Sequence, residues 1–249
     1  RSCSTPRWAA PELFDHRPPT QQSDAYSLAL VTFATLTGYH PFEDGDLVRQ
    51  TPDGSPIRLA AARGQIPSFI DPDDNSNSTA CHLFPLDVIL TPQLLGAYRR
   101  TFSSGRGNAD VRPTAAMLRR LLWRAHDQTI ACSCGFTSYL SFGACAACDK
   151  PFDDALTLEV RASSTAVPAA CIALSSGTTI MERRHLPLPV EPRSRHDEVL
   201  QARVERGRAV LDPAPEWSCT PASIAVGGEA LLEHESGVVL TLGAVPHAR

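Results

Sequence analysis

No stretch of this sequence is apolar for long enough to cross a bilayer. The longest apolar run, Leu28 to Leu36, is interrupted by Thr32 and Thr35 and falls short of the roughly 20 residues a spanning helix needs. Neither sign of charge dominates, with 23 basic residues against 27 acidic ones and a net charge of -4. Without a basic face there is nothing to neutralise a phosphate backbone, so nucleic acid is not an expected partner. Methionine is scarce, 2 in 249 residues, and position 1 is an arginine. The chain is therefore expected to be a piece of a longer protein. No signal-peptide pattern opens it, and no internal repeat or low-complexity tract is found.

What is present divides by texture. Hydrophobic residues make up 43% of the chain, enough for a real core, and the length suits more than one domain. The 21 prolines predict several extended or irregular connections. Of 8 cysteines, four lie between positions 132 and 148. Clustered thiols read as metal binding in a reducing compartment rather than as a disulfide scaffold, which implies a cytoplasmic setting.

Residues 1–19 read as loop. Ser23 and Asp24 then precede an apolar stretch, Ala25 to Thr37, closed by Gly38, which predicts a helix with a polar cap and a glycine stop. It is apolar on nearly all sides, so the middle of a helical domain is its expected place. Residues 43–90 are turn-rich, with a short helix predicted between Leu59 and Gly64. Thr91-Pro92 starts another helix, in which Leu94, Leu95, Tyr98 and Phe102 share a face. Ser103 to Ala109 reads as a Gly-rich loop. Thr114 opens a last helix with an apolar stripe of Met117, Leu118, Leu121, Leu122 and Ala125.

Thr5-Pro6-Arg7-Trp8-Ala9-Ala10-Pro11-Glu12 resembles the substrate-facing loop and Ala-Pro-Glu motif of Ser/Thr protein kinases. Ser23-Asp24-Ala25-Tyr26-Ser27-Leu28 is similar to the start of that family's long central helix. Thr37-Gly38-Tyr39-His40-Pro41-Phe42 and Asp110-Val111-Arg112-Pro113-Thr114 resemble two later motifs, and all four occur in family order. The resemblance covers roughly residues 1–125. It implies a buried Glu12–Arg112 bridge, an Asp24 that holds the catalytic-loop backbone in an intact enzyme, and Thr5 in the substrate-facing loop. The Gly-rich loop, Lys–Glu pair, base Asp and metal-binding residues that run phosphoryl transfer precede the Ala-Pro-Glu motif in the family. No catalytic residue is therefore assigned here, and Mg-ATP would belong to an intact parent kinase.

Cys132-x-Cys134-x10-Cys145-x2-Cys148 has two close thiol pairs across a hairpin-sized spacer. Each pair can supply half of a tetrahedral site, and a metal then replaces the core that twenty residues cannot provide. A structural zinc ribbon with Cys132, Cys134, Cys145 and Cys148 as ligands is the leading reading. The alternatives are His126 as fourth ligand with one cysteine left free, or simply buried thiols. Phe136, Tyr139 and Phe142 are expected to press the module onto a neighbour. The order of kinase tail, helix with Trp123 and cysteine ribbon resembles a group of bacterial protein kinases.

Beyond residue 151 short runs replace helices. Leu156–Val160, Ala170–Leu174, Thr178–Met181, Val199–Val204, Ala209–Leu211, Ser223–Val226 and Gly237–Leu242 predict seven strands of a sandwich or small barrel. Gly177-Thr178-Thr179-Ile180 leading to Arg183, then Ser194-Arg195-His196, Gly207-Arg208 and Val226-Gly227-Gly228 resemble a forkhead-associated domain. That resemblance implies Arg183 and Ser194 as phosphothreonine contacts. The alternative is a β-sandwich appendage used for docking. Cys171 and Cys219 flank hydrophobic runs and read as buried thiols, and Trp217 as a packing residue.

The expected architecture is multidomain: a mainly α-helical kinase C-lobe portion (1–127), a small four-cysteine zinc ribbon (128–151) and an all-β sandwich (152–249). The expected function is that of the C-terminal part of a bacterial-type Ser/Thr kinase, with proteins as substrates or partners. The alternative is a pseudokinase-like scaffold that only binds partners.

Overall fold

Thr20 starts the first helix of the computed structural model, ahead of the expected start. Its side chain accepts from the Ser23 N–H at 3.2 Å while the Ser23 hydroxyl accepts from the Thr20 N–H at 3.2 Å. This reciprocal cap satisfies two otherwise orphaned donors. The helix, α1 (Gln21–Thr37), ends at Gly38 with φ 76, a left-handed stop that glycine adopts without strain. The structure describes residues 6–79, 85–162, 167–186, 197–235 and 237–246. By internal contacts the chain forms two compact units, Arg1–Trp123 and Arg124–Arg249, and the cysteine module and sandwich strands share the second.

The first unit is helical. After α1 come α2 (Asp46–Arg49), α3 (Pro56–Ala62), α4 (Leu86–Ile89), α5 (Pro92–Phe102), α6 (Ser104–Gly107) and α7 (Ala115–Asp127), whose last residues, from Arg124, belong to the second unit. Ser55 and Thr91 cap α3 and α5 by accepting from Arg58 and Leu94 N–H groups, each followed by a proline that suits the first turn. Thr114 does the same for α7, accepting from the Met117 N–H at 3.2 Å. The core is aromatic. Phe33 of α1 meets Tyr98 and Phe102 of α5 edge-on, with ring centres 5.2 and 5.7 Å apart, and Phe42 meets Phe102 at 5.7 Å. These are the favourable quadrupole geometries.

Two expectations fail here. α1 buries Tyr26, Leu30 and Phe33 but leaves Leu28 39%, Val31 46% and Leu36 41% exposed, so within this unit it is covered on one side only. The predicted Gly-rich loop is instead the helical turn α6. Gly105 is buried there, and an added Cβ would lie 2.8 Å from the Arg100 carbonyl oxygen, so the position favours glycine.

In the second unit β1 (Thr129–Ala131) and β2 (Thr137–Tyr139) form an antiparallel hairpin. A bridge between Ala144 and Pro151 closes the second arm of the cysteine module. Ile130, Leu140, Ala155 and Ala173 form its apolar cluster with Phe152 packed against them. The expected aromatic face contributes less, since Tyr139 is buried but Phe142 is 42% exposed.

The remaining strands are β3 (Leu156–Ala162), β4 (Ala170–Leu174), β5 (Thr179–Glu182), β6 (Glu198–Glu205), β7 (Arg208–Pro213), β8 (Trp217–Thr220), β9 (Ser223–Ala225), β10 (Glu229–His234) and β11 (Val239–Pro246). They make a five-stranded sheet, β4-β3-β11-β10-β8, and a four-stranded sheet, β5-β6-β7-β9. Each neighbouring pair is antiparallel. Arg206 and Gly207, at φ 50 and 71, make the two-residue turn between β6 and β7, where positive φ at both positions matches the strand twist. Leu158, Val160, Leu232, Leu240 and Leu242 of the larger sheet share one core with Val199, Leu200, Ala202 and Leu211 of the smaller. The molecule is thus a helical unit and a β-sandwich unit that carries a four-cysteine module.

Candidate functional site

The turn after β1 places Cys132 and Cys134, and the second arm brings Cys145 and Cys148 to them. Gly135, at φ 88, lets the first arm reverse, and its N–H donates to the Cys132 carbonyl at 2.9 Å. The four Sγ atoms all lie within 4.8 Å of one another. Cys132 and Cys148 sulfurs are 3.6 Å apart, as are those of Cys134 and Cys145. A tetrahedral ion with bonds of about 2.3 Å would set its sulfurs about 3.8 Å apart, so this cage is the size of one metal–thiolate centre.

The backbone is arranged for thiolates as well. The Cys134 N–H points at Cys132 and holds its thiol below the ordinary value. The Ala147 N–H, with that of Cys148, does the same for Cys145. The Lys150 N–H also favours a Cys148 thiolate, but the crowding sulfurs of Cys134 and Cys132 outweigh it and push Cys148 up to about 12. A cation between the four sulfurs would reverse that repulsion. His126 is not in the cluster; its ring Nδ1 lies 3.5 Å from Asp127 Oδ1.

In the helical unit the structure brings Glu12 and Arg112 together. Arg112 Nη1 and Nη2 donate to Glu12 Oε1 and Oε2 at 2.7 and 2.8 Å across 100 residues of sequence. Arg112 Nε also donates to the Gly105 carbonyl at 2.6 Å, and its guanidinium lies 4.8 Å above the Tyr26 ring. Burial alone would raise the Glu12 pKa. The hydrogen bonds from Arg112, from the Glu12 backbone and from the Ser23 hydroxyl outweigh it and hold the carboxyl at about 2. Ser23, which the sequence marks only as a helix cap, thus also donates to Glu12 Oε1 at 2.9 Å. Asp24 sits in the first turn of α1, exposed. Thr5 and Ser194 lie outside the described residues.

His40 has no role that the sequence signals. It is 2% exposed; its Nε2 donates to the Arg7 carbonyl at 3.0 Å and its Nδ1 accepts from the Glu43 N–H at 3.3 Å. This neutral ring ties the loop at Arg7 and Trp8 to the turn at Pro41 and Phe42. Burial lowers its pKa to about 4. A histidine between a tyrosine and a proline carries no pattern that would announce such a tie.

In the sandwich unit Arg183 is not isolated. Its Nε is 3.7 Å from Asp197 and its Nη2 3.9 Å from Glu216. The neighbouring Arg184 donates to both carboxylate oxygens of Asp127 at 3.0 and 2.8 Å, and His185 Nε2 lies 3.2 Å from Asp127 Oδ1. Burial would raise the Asp127 pKa, but His185 and Arg184 together hold it at about 2. Cys171 and Cys219, expected to be buried, are only partly so, since both lie on strands at sheet edges. Trp217 is buried as expected and packs on His234 with ring centres 4.6 Å apart.

These features define a two-unit protein with a bidentate, largely buried Glu12–Arg112 ion pair in one unit and a four-thiol cage in the other. The human serine/threonine-protein kinase H2 is 38% identical over 47 residues, a stretch that is 19% of this chain and 12% of that protein. The likeness supports a distant relationship to the protein-kinase superfamily over that stretch. No family model matches the chain, and no solved structure matches it. No helix among the described residues is long and apolar enough to cross a membrane.

Proposed function

We propose that this chain is the C-terminal portion of a bacterial-type Ser/Thr protein kinase. In the intact protein, phosphoryl transfer from Mg-ATP to a protein hydroxyl would be run by residues that precede Arg1. The observation that carries the reading is the bidentate Glu12–Arg112 bridge, which joins the motif resembling Ala-Pro-Glu to the one resembling Arg-Pro-Thr. Its proposed role is to anchor the substrate-facing segment to the helical base, and Asp24 is proposed to hold the backbone of a catalytic loop in the intact protein. The test is to read and express the segment upstream of Arg1 and measure phosphate transfer from Mg-ATP to a protein acceptor. A Gly-rich loop, a Lys and an Asp-Phe-Gly segment with transfer activity support the proposal. An unrelated upstream domain sinks it.

One observation favours the scaffold reading instead. The exposed Leu28, Val31 and Leu36 of α1 form an apolar face suited to a protein partner. An intact protein without transfer activity that still binds a separate protein through this face, with binding lost in Val31→Asp, would support it.

In the same proposal the four-cysteine cage holds structural zinc. Four thiolates leave no open coordination position, so the ion closes the ribbon and takes no part in chemistry. Metal analysis of freshly purified protein is expected to find about one zinc per chain, lost in Cys132→Ser and Cys148→Ser. The sandwich is proposed as a docking appendage. A phosphothreonine contact at Arg183 would have to compete with Asp197 and Glu216, and titration with phosphorylated and unphosphorylated threonine peptides tests it. Tighter binding of the phosphorylated form, lost in Arg183→Ala, would restore the forkhead-associated reading.

A further inference from the structure

All four sulfurs of the cage lie within 4.8 Å of one another, with two inter-arm pairs at 3.6 Å, and they differ in exposure. Each close pair, Cys132–Cys148 and Cys134–Cys145, takes one cysteine from the first arm and one from the second. Each also combines an exposed residue with a shielded one. Cys148 is exposed and Cys132 half-buried; Cys134 is exposed and Cys145 buried. An accessible thiolate beside a shielded resolving thiolate is the arrangement of a reversible redox centre.

We infer that the metal centre is also a peroxide-responsive switch, in which Cys132–Cys148 and Cys134–Cys145 disulfides replace the ion. The inference rests on the metal-centre reading above. The exposed thiolate of a pair attacks one oxygen of hydrogen peroxide. The S–O bond forms, the O–O bond breaks, and hydroxide leaves to take up a proton, giving a sulfenic acid. The shielded thiolate then attacks that sulfur. The S–S bond forms, the S–O bond breaks, and the departing hydroxide is protonated to water. Each pair gives up two electrons and reduces one peroxide to two waters. Over both pairs, four thiolates, two peroxides and four protons give two disulfides, four waters and the freed metal ion. Both links cross between the arms, so the oxidised module stays closed while losing its metal. A dithiol reductant reopens the cage.

The experiment uses the full chain loaded with zinc. Hydrogen peroxide is titrated in while a chromogenic chelator reads released zinc, and disulfides are mapped by mass spectrometry after alkylation of the remaining thiols. The expected result is zinc release that tracks disulfide formation, links 132–148 and 134–145, and recovery of zinc binding after reduction. Retention of zinc once the exposed Cys134 and Cys148 are oxidised would overturn the inference, as would oxidation to sulfinic or sulfonic acids that reduction does not reverse. If the purified chain binds no zinc, the metal reading fails separately. Mild oxidation of the metal-free chain then tests the pairing, because four cysteines allow three connectivities. The map 132–148 with 134–145 supports the pairing and either other map overturns it.

Discussion

At the scale of single residues, the two buried polar ties of the helical unit give different pH signatures. His40 is neutral in the fold, with its pKa lowered by burial from 6.5 to about 4. Below pH 6.5 the unfolded chain takes up a proton that the folded chain refuses, so stability falls from there to about pH 4 and then levels. The linked loss is about 3 kcal/mol at most. Urea unfolding of the helical unit across pH 7 to 4 should show this slope, and His40→Gln should flatten it. Glu12 acts in a lower window, because its carboxyl is held at about 2 against 4.5. Its contribution is complete above pH 4.5 and fades as the pH falls toward 2. Arg112 is 1% exposed at its side chain, so Glu12→Ala leaves a buried charge without its partner. A loss of about 3–5 kcal/mol in denaturant midpoint analysis is expected. Glu12 and Arg112 are legible only through resemblance, because each sits in a motif similar to one of the protein-kinase family and that likeness implies the pair. His40 is not, because its partners are a backbone carbonyl and a backbone N–H that no residue pattern encodes.

At the scale of elements, most boundaries follow local chemistry and the misses have local causes. The end of α1 is readable because Gly38 is a glycine at a left-handed position. Its start is not, because Thr20 and Ser23 both favour caps and only the reciprocal hydrogen bonds select Thr20. Of the sandwich strands, β8 and β10 escape a reading of the sequence. Glu229-Ala230-Leu231-Leu232-Glu233 has helix-forming residues, yet β10 alternates exposed and buried positions between β8 and β11, so tertiary pairing overrides propensity. The turn α6 reads as a loop because two glycines lower helix propensity. Its glycine is needed instead for space, since an added Cβ at Gly105 would also stand 3.0 Å from Arg112 Cγ. Gly105→Ala is therefore expected to destabilise the helical unit by about 1–3 kcal/mol, measured by chemical denaturation. Gly107→Ala, where an added Cβ meets nothing within 4 Å, is the control and should be close to neutral.

At the scale of the whole molecule, the four cysteines are legible because metal ligation depends on spacing that the sequence prints directly. What the spacing does not print is the module's apolar cluster, in which Ile130, Leu140 and Phe152 meet Ala155 and Ala173. The sandwich has its own, separate core. Metal removal by a chelator is therefore expected to raise amide exchange in residues 129–151 while the strands from β3 to β11 keep their protection, as hydrogen-exchange mass spectrometry would read. The arrangement of that sandwich bears on how the protein is made. β3 pairs early with β4 on one side but with β11 on the other, from Leu156↔Pro246 to Ala162↔Leu240, so its second neighbour arrives only after every intervening strand has been synthesised. Such long-range pairing is slow. The cysteine module, whose two arms are neighbours in sequence, can close on a metal while the sandwich is still waiting on the ribosome. During that interval the edge of β3 that will pair with β11 is open, and a chaperone or a metal-fixed platform at its N-terminal side would shield it from edge-to-edge aggregation.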